Sequence, residues 1–312
     1  MATFEQWLEG ARPRTLPAAT APVLAGGATG LLRLDGFGPG GDLSERAGTG
    51  GFGLHSWAIL VLCLVLALAL QVGVNYANDY SDGVRGTDDE RVGPLRLVGS
   101  KAARPGQVKA AAFACFGVAA VVGLVLVLLT QHWWLLVVGV ACIAAAWFYT
   151  GGSHPYGYAG LGEVMVFLFF GLVAVCGTHY LLTGGLTVTA VVVAVAVGCV
   201  ACALLVANNL RDIVGDRQVG KRTLATRLGD RGTRWFHLLL AAATVAGVVV
   251  AAGLADWWLL TGLLTLIALV PSVATVLRGA SGRALIPVLK QTGQAELLLG
   301  IGLLAGAVVA TW

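Results

Sequence analysis

Residues 75–82, Asn75-Tyr76-Ala77-Asn78-Asp79-Tyr80-Ser81-Asp82, close an apolar run that begins near Leu54. If the run stays helical to its end, Asn75, Asn78, Asp79 and Asp82 recur at i, i+3, i+4 and i+7 and share one face. That face carries amide and carboxylate oxygens and no apolar side chain. A similar face ends a second long apolar run, where Asn208, Asp212 and Asp216 recur at i, i+4 and i+8. In both, an Asn precedes an Asp by four positions. The shared register suggests a weak internal repeat, the second and third apolar runs against the sixth and seventh. Carboxylates are costly beside hydrocarbon, so acids in a chain of this kind are functional candidates.

The surrounding chain is a membrane chain. Of its 312 residues 57% are hydrophobic and only 12% charged, with a mean hydropathy of +0.83. A soluble domain carries about 25% charged residues, so a water-soluble reading is excluded. No nucleic-acid partner is expected. Cys63, Cys115, Cys142, Cys176, Cys199 and Cys202 all lie in apolar runs without metal-site spacing. They read as small buried hydrophobes, not as a disulfide framework. At the start, Glu5, Glu9, Arg12 and Arg14 precede an apolar run broken by Pro17 and Pro22, unlike a cleaved secretion signal.

Nine apolar stretches approach the ~20 residues of a bilayer crossing. They run over 15–33, 54–80, 108–130, 133–150, 161–183, 187–209, 234–255, 257–277 and 292–311. The expected fold is all-α, a single polytopic bundle over residues 1–312. Lys and Arg set its orientation. With the N-terminus in the cytoplasm, 18 of the 20 basic residues fall inside, and only Arg33 and Arg46 fall outside. Both acid faces then lie at cytoplasmic helix ends of a multi-pass plasma-membrane protein.

Basic loops follow both faces. Arg91, Arg96 and Lys101 lie beyond the first, Lys221 and Arg222 beyond the second. Clustered Asp and Asn oxygens suit Mg²⁺, which takes one or two carboxylates and fills its shell with water and phosphate oxygens. Asp79, Asp82, Asp212 and Asp216 are the candidate metal ligands, with Asn78 and Asn208 beside them and two ions expected. Nearby Arg and Lys would take up remaining phosphate charge. A metal-bound diphosphate is a good leaving group. The pattern points to a diphosphate ester whose other end resides in lipid. Against this stands a bland alternative, interfacial salt-bridge networks at helix ends; two faces of the same spacing weigh against it.

Other residues read more plainly. Glu163 and Glu296 are expected to snorkel or cap helix ends, and His132 and His179 to be interfacial. Asp256 with Trp257 and Trp258 reads as an outer boundary belt. Tyr76, Tyr80, Tyr149, Tyr156 and Tyr158 could form such a belt, or line a cavity where ring faces stabilise a developing cation.

Beyond these local readings, the motifs resemble a known family. Asn78-Asp79-x-x-Asp82 with Asp212-x-x-x-Asp216 resembles the paired aspartate motifs of the UbiA superfamily of intramembrane aromatic prenyltransferases. Arg91-x-Gly-Pro-Leu-Arg96, Arg104-Pro-Gly-Gln-Val108, Pro155-Tyr-Gly-Tyr-x-Gly-Leu-Gly162, Asn208-Asn209-Leu-Arg-Asp212 and Gly220-Lys-Arg-Thr223 are similar to its menaquinone branch, the dihydroxynaphthoate polyprenyltransferases. The likeness runs from Arg12-Pro13-x-Thr15-Leu16-Pro17 to the last span. Many members carry a third acid four positions after the second. Here that position is Gly86, and Asp88 or Asp89 could complete the first site.

The resemblance implies a nine-helix bundle around a cavity open to the cytoplasm. It implies Mg²⁺-assisted departure of diphosphate from a polyprenyl diphosphate and attack by the dihydroxynaphthoate ring. Carbon dioxide is lost and demethylmenaquinone forms. Asn75, Asn209 and Tyr149, Tyr156 and Tyr158 then join the basic residues as substrate-binding candidates. The naphthoate comes from the resemblance alone. Another prenyl acceptor remains an alternative. An ion-coupled transporter is disfavoured, because transporter sites lie near the midplane on broken helices.

Overall fold

A chain crossing hydrocarbon must satisfy its backbone hydrogen bonds within each segment, and long apolar runs therefore become helices. The structure, a computed structural model, describes residues 2–34, 53–86, 95–153, 155–218 and 220–312. Among these residues the only regular elements are helices. In order they are α1 (Phe4–Gly10), α2 (Pro17–Leu34), α3 (Leu54–Arg85), α4 (Pro105–Thr130), α5 (Leu135–Phe148), α6 (Gly162–Val166), a π-helical stretch Phe167–Cys176, α7 (Gly177–Thr183), α8 (Val188–Gln218), α9 (Leu224–Leu254), α10 (Leu266–Leu277) and α11 (Ile286–Ala310). Short 3₁₀ turns Trp257–Thr265 and Gly282–Leu285 lead into α10 and α11.

Among the described residues seven helical segments are long and apolar enough to cross a membrane. Residues Phe4–Thr15 and Pro17–Leu34, bent by 50°, make an eighth if taken as one span. Helix α5, with 14 residues, is short of a full crossing. Among the described residues seven or eight full crossings thus stand, with α5 as a further, shorter apolar helix, against about nine apolar runs in the sequence. The shortfall at α5 has a local cause. It starts after Trp133–Trp134 and ends before Gly151 and Gly152, the latter at φ +77°. Two ends run further than hydropathy alone suggested. Helix α3 extends to Arg85 and α8 to Gln218, so both acid faces are helical throughout.

The described chain divides into two compact units. The first comprises Met1–Leu16 and Leu62–Ala159. Its core joins Tyr76, Ala77, Leu97, Val98, Ala103, Val108, Ala112 and Phe116. The outer side of α4 leaves Val118, Val121, Leu124 and Leu128 exposed, as a lipid-facing surface requires.

The second unit comprises Pro17–Val61 and Gly160–Trp312. Here α8 packs along α9, and α11 along α2 and the Trp257–Thr265 turns. Lipid is as apolar as leucine, so close backbone approach drives such packing. On α11, Gly302 and Gly306 form a small-xxx-small face. A Cβ at Gly306 would lie 2.1 Å from the Trp258 carbonyl oxygen, and one at Gly302 would lie 2.3 Å from that of Thr261. The Thr261 hydroxyl uses this closeness to donate to Gly302 O at 2.6 Å.

Candidate active site

In the first unit, the polar face of α3 is divided among several partners. Asn75 Nδ2 donates to Ala11 O and Thr15 Oγ1, each at 2.9 Å, and Tyr76 donates its hydroxyl to Trp7 O. These two residues therefore tie down the N-terminal segment. Asn78 Oδ1 accepts from the Thr150 hydroxyl at 2.7 Å.

Asp79 is fully buried, and its two oxygens accept the backbone N–H groups of Leu97 (2.7 Å) and Val98 (3.1 Å). The carboxylate thus pins the basic loop onto the helix. Gly83, one turn on, makes room for that loop, since a Cβ there would meet Val98 Cγ1 at 2.4 Å. The pinned loop carries Arg96, whose Nη2 lies 3.7 Å from Asp82 Oδ2. Asp82 Oδ1 accepts from the Tyr158 hydroxyl at 2.6 Å. Arg85 donates to the carbonyls of Thr150 and Gly152, and its guanidinium sits 5.6 Å over the Tyr158 ring. Asp82, Arg96 and Tyr158 therefore form one ionic cluster, braced by Arg85.

Tyr156 donates to Ala145 O at 2.7 Å, and its ring meets Tyr149 edge-on at 5.5 Å. Burial pushes its phenol up to about 12. Lys101 is exposed in the loop at φ +60°. Arg91, Asp88 and Asp89 lie outside the described residues.

In the second unit, the last turns of α8 carry the other face. Asp212 is gripped by its neighbour Arg211, with Nε at 2.7 Å and Nη2 at 2.5 Å. It still keeps 28% of its side chain exposed. Asp216 is more buried and pairs with Lys221 Nζ at 3.6 Å. The backbone holds Lys221 in place, its N–H donating to Asp216 O at 2.8 Å after the turn at Gly220 (φ +71°). Arg222 is exposed beside it, and Thr223 caps α9. Asn208 is half-buried, whereas Asn209 is buried and donates Nδ2 to Glu163 Oε1 at 2.9 Å.

Three expectations are corrected. Glu163 does not snorkel; it is 6% exposed and bonded to Asn209. Glu296 is fully buried in α11, because α2, α8 and the Trp257–Thr265 turns surround that helix. His179 is not interfacial; it is fully buried with Nδ1 3.0 Å from the Thr29 hydroxyl. Sequence reasoning missed that Glu163 bonds the candidate residue Asn209. The available signal was its position directly after the Tyr156–Gly162 motif.

Among the described residues no three His, Cys, Asp or Glu side chains gather into a metal cage. The donors on both faces are oxygens only. This set fits a Mg²⁺ held by one or two carboxylates with substrate oxygens completing its shell, and it does not fit a softer metal.

Comparison with known proteins identifies the family. The profile of the UbiA prenyltransferase family matches residues 48–310. The 1,4-dihydroxy-2-naphthoate octaprenyltransferase of Mycobacterium tuberculosis is 49% identical over 98% of both chains. The enzyme of that name from Escherichia coli is 34% identical over 99% of this chain and 96% of its own. Among solved structures, a UbiA homolog from Archaeoglobus fulgidus bound to GPP and Mg²⁺ superposes with a TM-score of 0.64 at 13% identity, over 96% of this chain and 99% of that one.

Proposed function

The chain belongs to the UbiA prenyltransferase family, and on that footing we propose that it transfers a polyprenyl group from polyprenyl diphosphate to 1,4-dihydroxy-2-naphthoate. Diphosphate and CO₂ are released, and demethylmenaquinone forms in its quinol state, a step of menaquinone biosynthesis. The observation that carries the acceptor is the 49% identity, over 98% of both chains, with a relative named for this reaction. The acid faces alone specify only the diphosphate end.

The chain's own residues divide the work. Asp82, Asp212 and Asp216 are assigned to Mg²⁺, with Asn78 and Asn208 beside them. Asp79 joins them through lone pairs not used by the Leu97 and Val98 amides, since a carboxylate offers about four acceptor positions. When bound, Mg²⁺ neutralises charge on the departing diphosphate. Arg91, Arg96, Lys101, Lys221 and Arg222 supply further positive charge to it as the bond between the prenyl C1 and oxygen breaks. A ring carbon of the naphthoate donates the electron pair of the new C–C bond, and the carboxylate leaves as CO₂. Tyr149, Tyr156 and Tyr158 are assigned to the substrate rings and chain, with Tyr158 also holding Asp82. The whole chain is proposed to act as one domain, with its N-terminus and site on the cytoplasmic side.

The test is direct. Purified protein is incubated with Mg²⁺, a polyprenyl diphosphate and either dihydroxynaphthoate, hydroxybenzoate or homogentisate. Expected is a prenylated naphthoquinol with equimolar diphosphate, formed only with the first acceptor and abolished by EDTA. Product with another acceptor alone, or turnover unaffected by EDTA, overturns the assignment.

A further inference from the structure

Glu163 is a buried carboxylate with a single described side-chain hydrogen bond, the one from Asn209. That is an expensive arrangement. A carboxyl group taken out of water costs free energy that its bonds must offset, and among the described residues Glu163 has no ion-pair partner. Two apolar residues of the same volume would hold α6 to α8 at lower cost. A second anchor already does that job, since Cys202 Sγ donates to the Glu163 backbone carbonyl at 3.1 Å. The side chain therefore asks for another reason.

The chemistry of the pair supplies one. Asn209 turns its amide nitrogen to Glu163 Oε1 at 2.9 Å, so the carboxyl oxygen accepts and the amide is held by its nitrogen edge. The amide cannot turn over without setting oxygen against oxygen. Its Oδ1 is thereby directed away from Glu163, and among the described residues nothing donates to it. Asn209 stands three residues before Asp212 and seven before Asp216, so all three lie along one side of α8. Asp216 is itself largely buried there.

Resting on the function proposed above, we infer that Glu163 is a positioning residue. It locks the Asn209 amide so that its oxygen is offered to a divalent cation, or to a water on that cation, on the Asp212–Asp216 side of α8. An oxygen is useless to a phosphate but suits Mg²⁺, so the lock selects the cation end of a Mg²⁺–diphosphate pair.

Glu163→Gln is the discriminating substitution. It keeps size and can still bond Asn209, but it accepts either edge of the amide and so releases the lock. The readout is thermal stabilisation of the purified protein by a non-hydrolysable prenyl thiodiphosphate, titrated with Mg²⁺ and repeated in EDTA. Expected is a rise of about tenfold in the Mg²⁺ concentration for half-maximal stabilisation, roughly the lower end of the loss seen when an outer-sphere partner of a metal ligand is removed. Binding in EDTA and the melting temperature without ligand stay as in the native protein. In an Asn209→Ala background, Glu163→Gln should add nothing further, because the effect runs through the amide. A lowered melting temperature with unchanged Mg²⁺ dependence would make Glu163 a structural pin and overturn the inference. Equal weakening in EDTA would place Asn209 on the diphosphate and overturn it as well. Failure of Mg²⁺ to promote analogue binding in the native protein would instead remove the proposed function.

Discussion

Asp79→Asn separates two roles that coincide in one side chain. Both carboxylate oxygens accept buried backbone N–H groups, at 2.7 and 3.1 Å. Hydrogen bonds to a charged acceptor contribute about 1.5–3 kcal/mol each, and an orphaned buried donor costs about 1–3 kcal/mol. Asparagine keeps one acceptor oxygen and turns an NH₂ toward the other amide. One bond is lost, the second loses its charge, and one backbone N–H faces another donor. A loss of about 2–4 kcal/mol follows, localised to the Leu95–Ala103 loop. Asp212→Asn should cost less, because that carboxylate keeps 28% of its side chain exposed and accepts from the adjacent Arg211 side chain. Thermal unfolding of the two variants in the same detergent should therefore diverge by several degrees. Trypsin should also cleave Asp79→Asn faster after Arg96 and Lys101. If Asp79→Asn melts with Asp212→Asn and resists trypsin like the native protein, the loop-pinning account is wrong, and Asp79 acts on the metal alone.

Four further outcomes are expected. Asp82→Asn, Asp212→Asn and Asp216→Asn should each lower turnover by at least about 10–100-fold while unfolding near the native temperature; normal turnover in two of the three would remove the metal assignment. Gly306→Ala would bring a Cβ within 2.1 Å of Trp258 O, so a cost of about 1–3 kcal/mol is expected, read as a lower melting temperature, and an unchanged melt would contradict the close crossing. The Tyr156 phenol is raised to about 12 while an unfolded tyrosine titrates near ~10, so its neutral form supports the fold fully below about pH 10 and that support is lost between about pH 10 and 12. Tyr156→Phe should flatten the fall in melting temperature across that window, and an equally steep fall would argue against burial. Finally, single cysteines at Ser100 and Gln218 should resist an impermeant maleimide applied to intact cells while one at Gly50 reacts, and external labelling at the first two would invert the topology.

The helical membrane class, the two acid faces and the family were legible in the chain because each rests on local information. Hydrophobic run length dictates crossings, period-3.6 spacing places Asn75, Asn78, Asp79 and Asp82 on one side of a helix, and the motifs are contiguous. The fates of those four residues were not legible. Equivalent in spacing, they separate only because different segments reach them: the N-terminal turn takes Asn75, Thr150 takes Asn78, the Leu97–Val98 amides take Asp79, and Tyr158 with Arg96 takes Asp82. Burial of acids was likewise a tertiary decision. Glu163 and Glu296 look like ordinary helix-end or interfacial carboxylates in sequence, yet packing of neighbouring helices removes both from water. Spacing says which side of its own helix a side chain occupies; what stands opposite depends on contacts between segments far apart in the chain, and those contacts decide whether an acid pins a loop, as Asp79 does, or bonds a neighbouring helix, as Glu163 does.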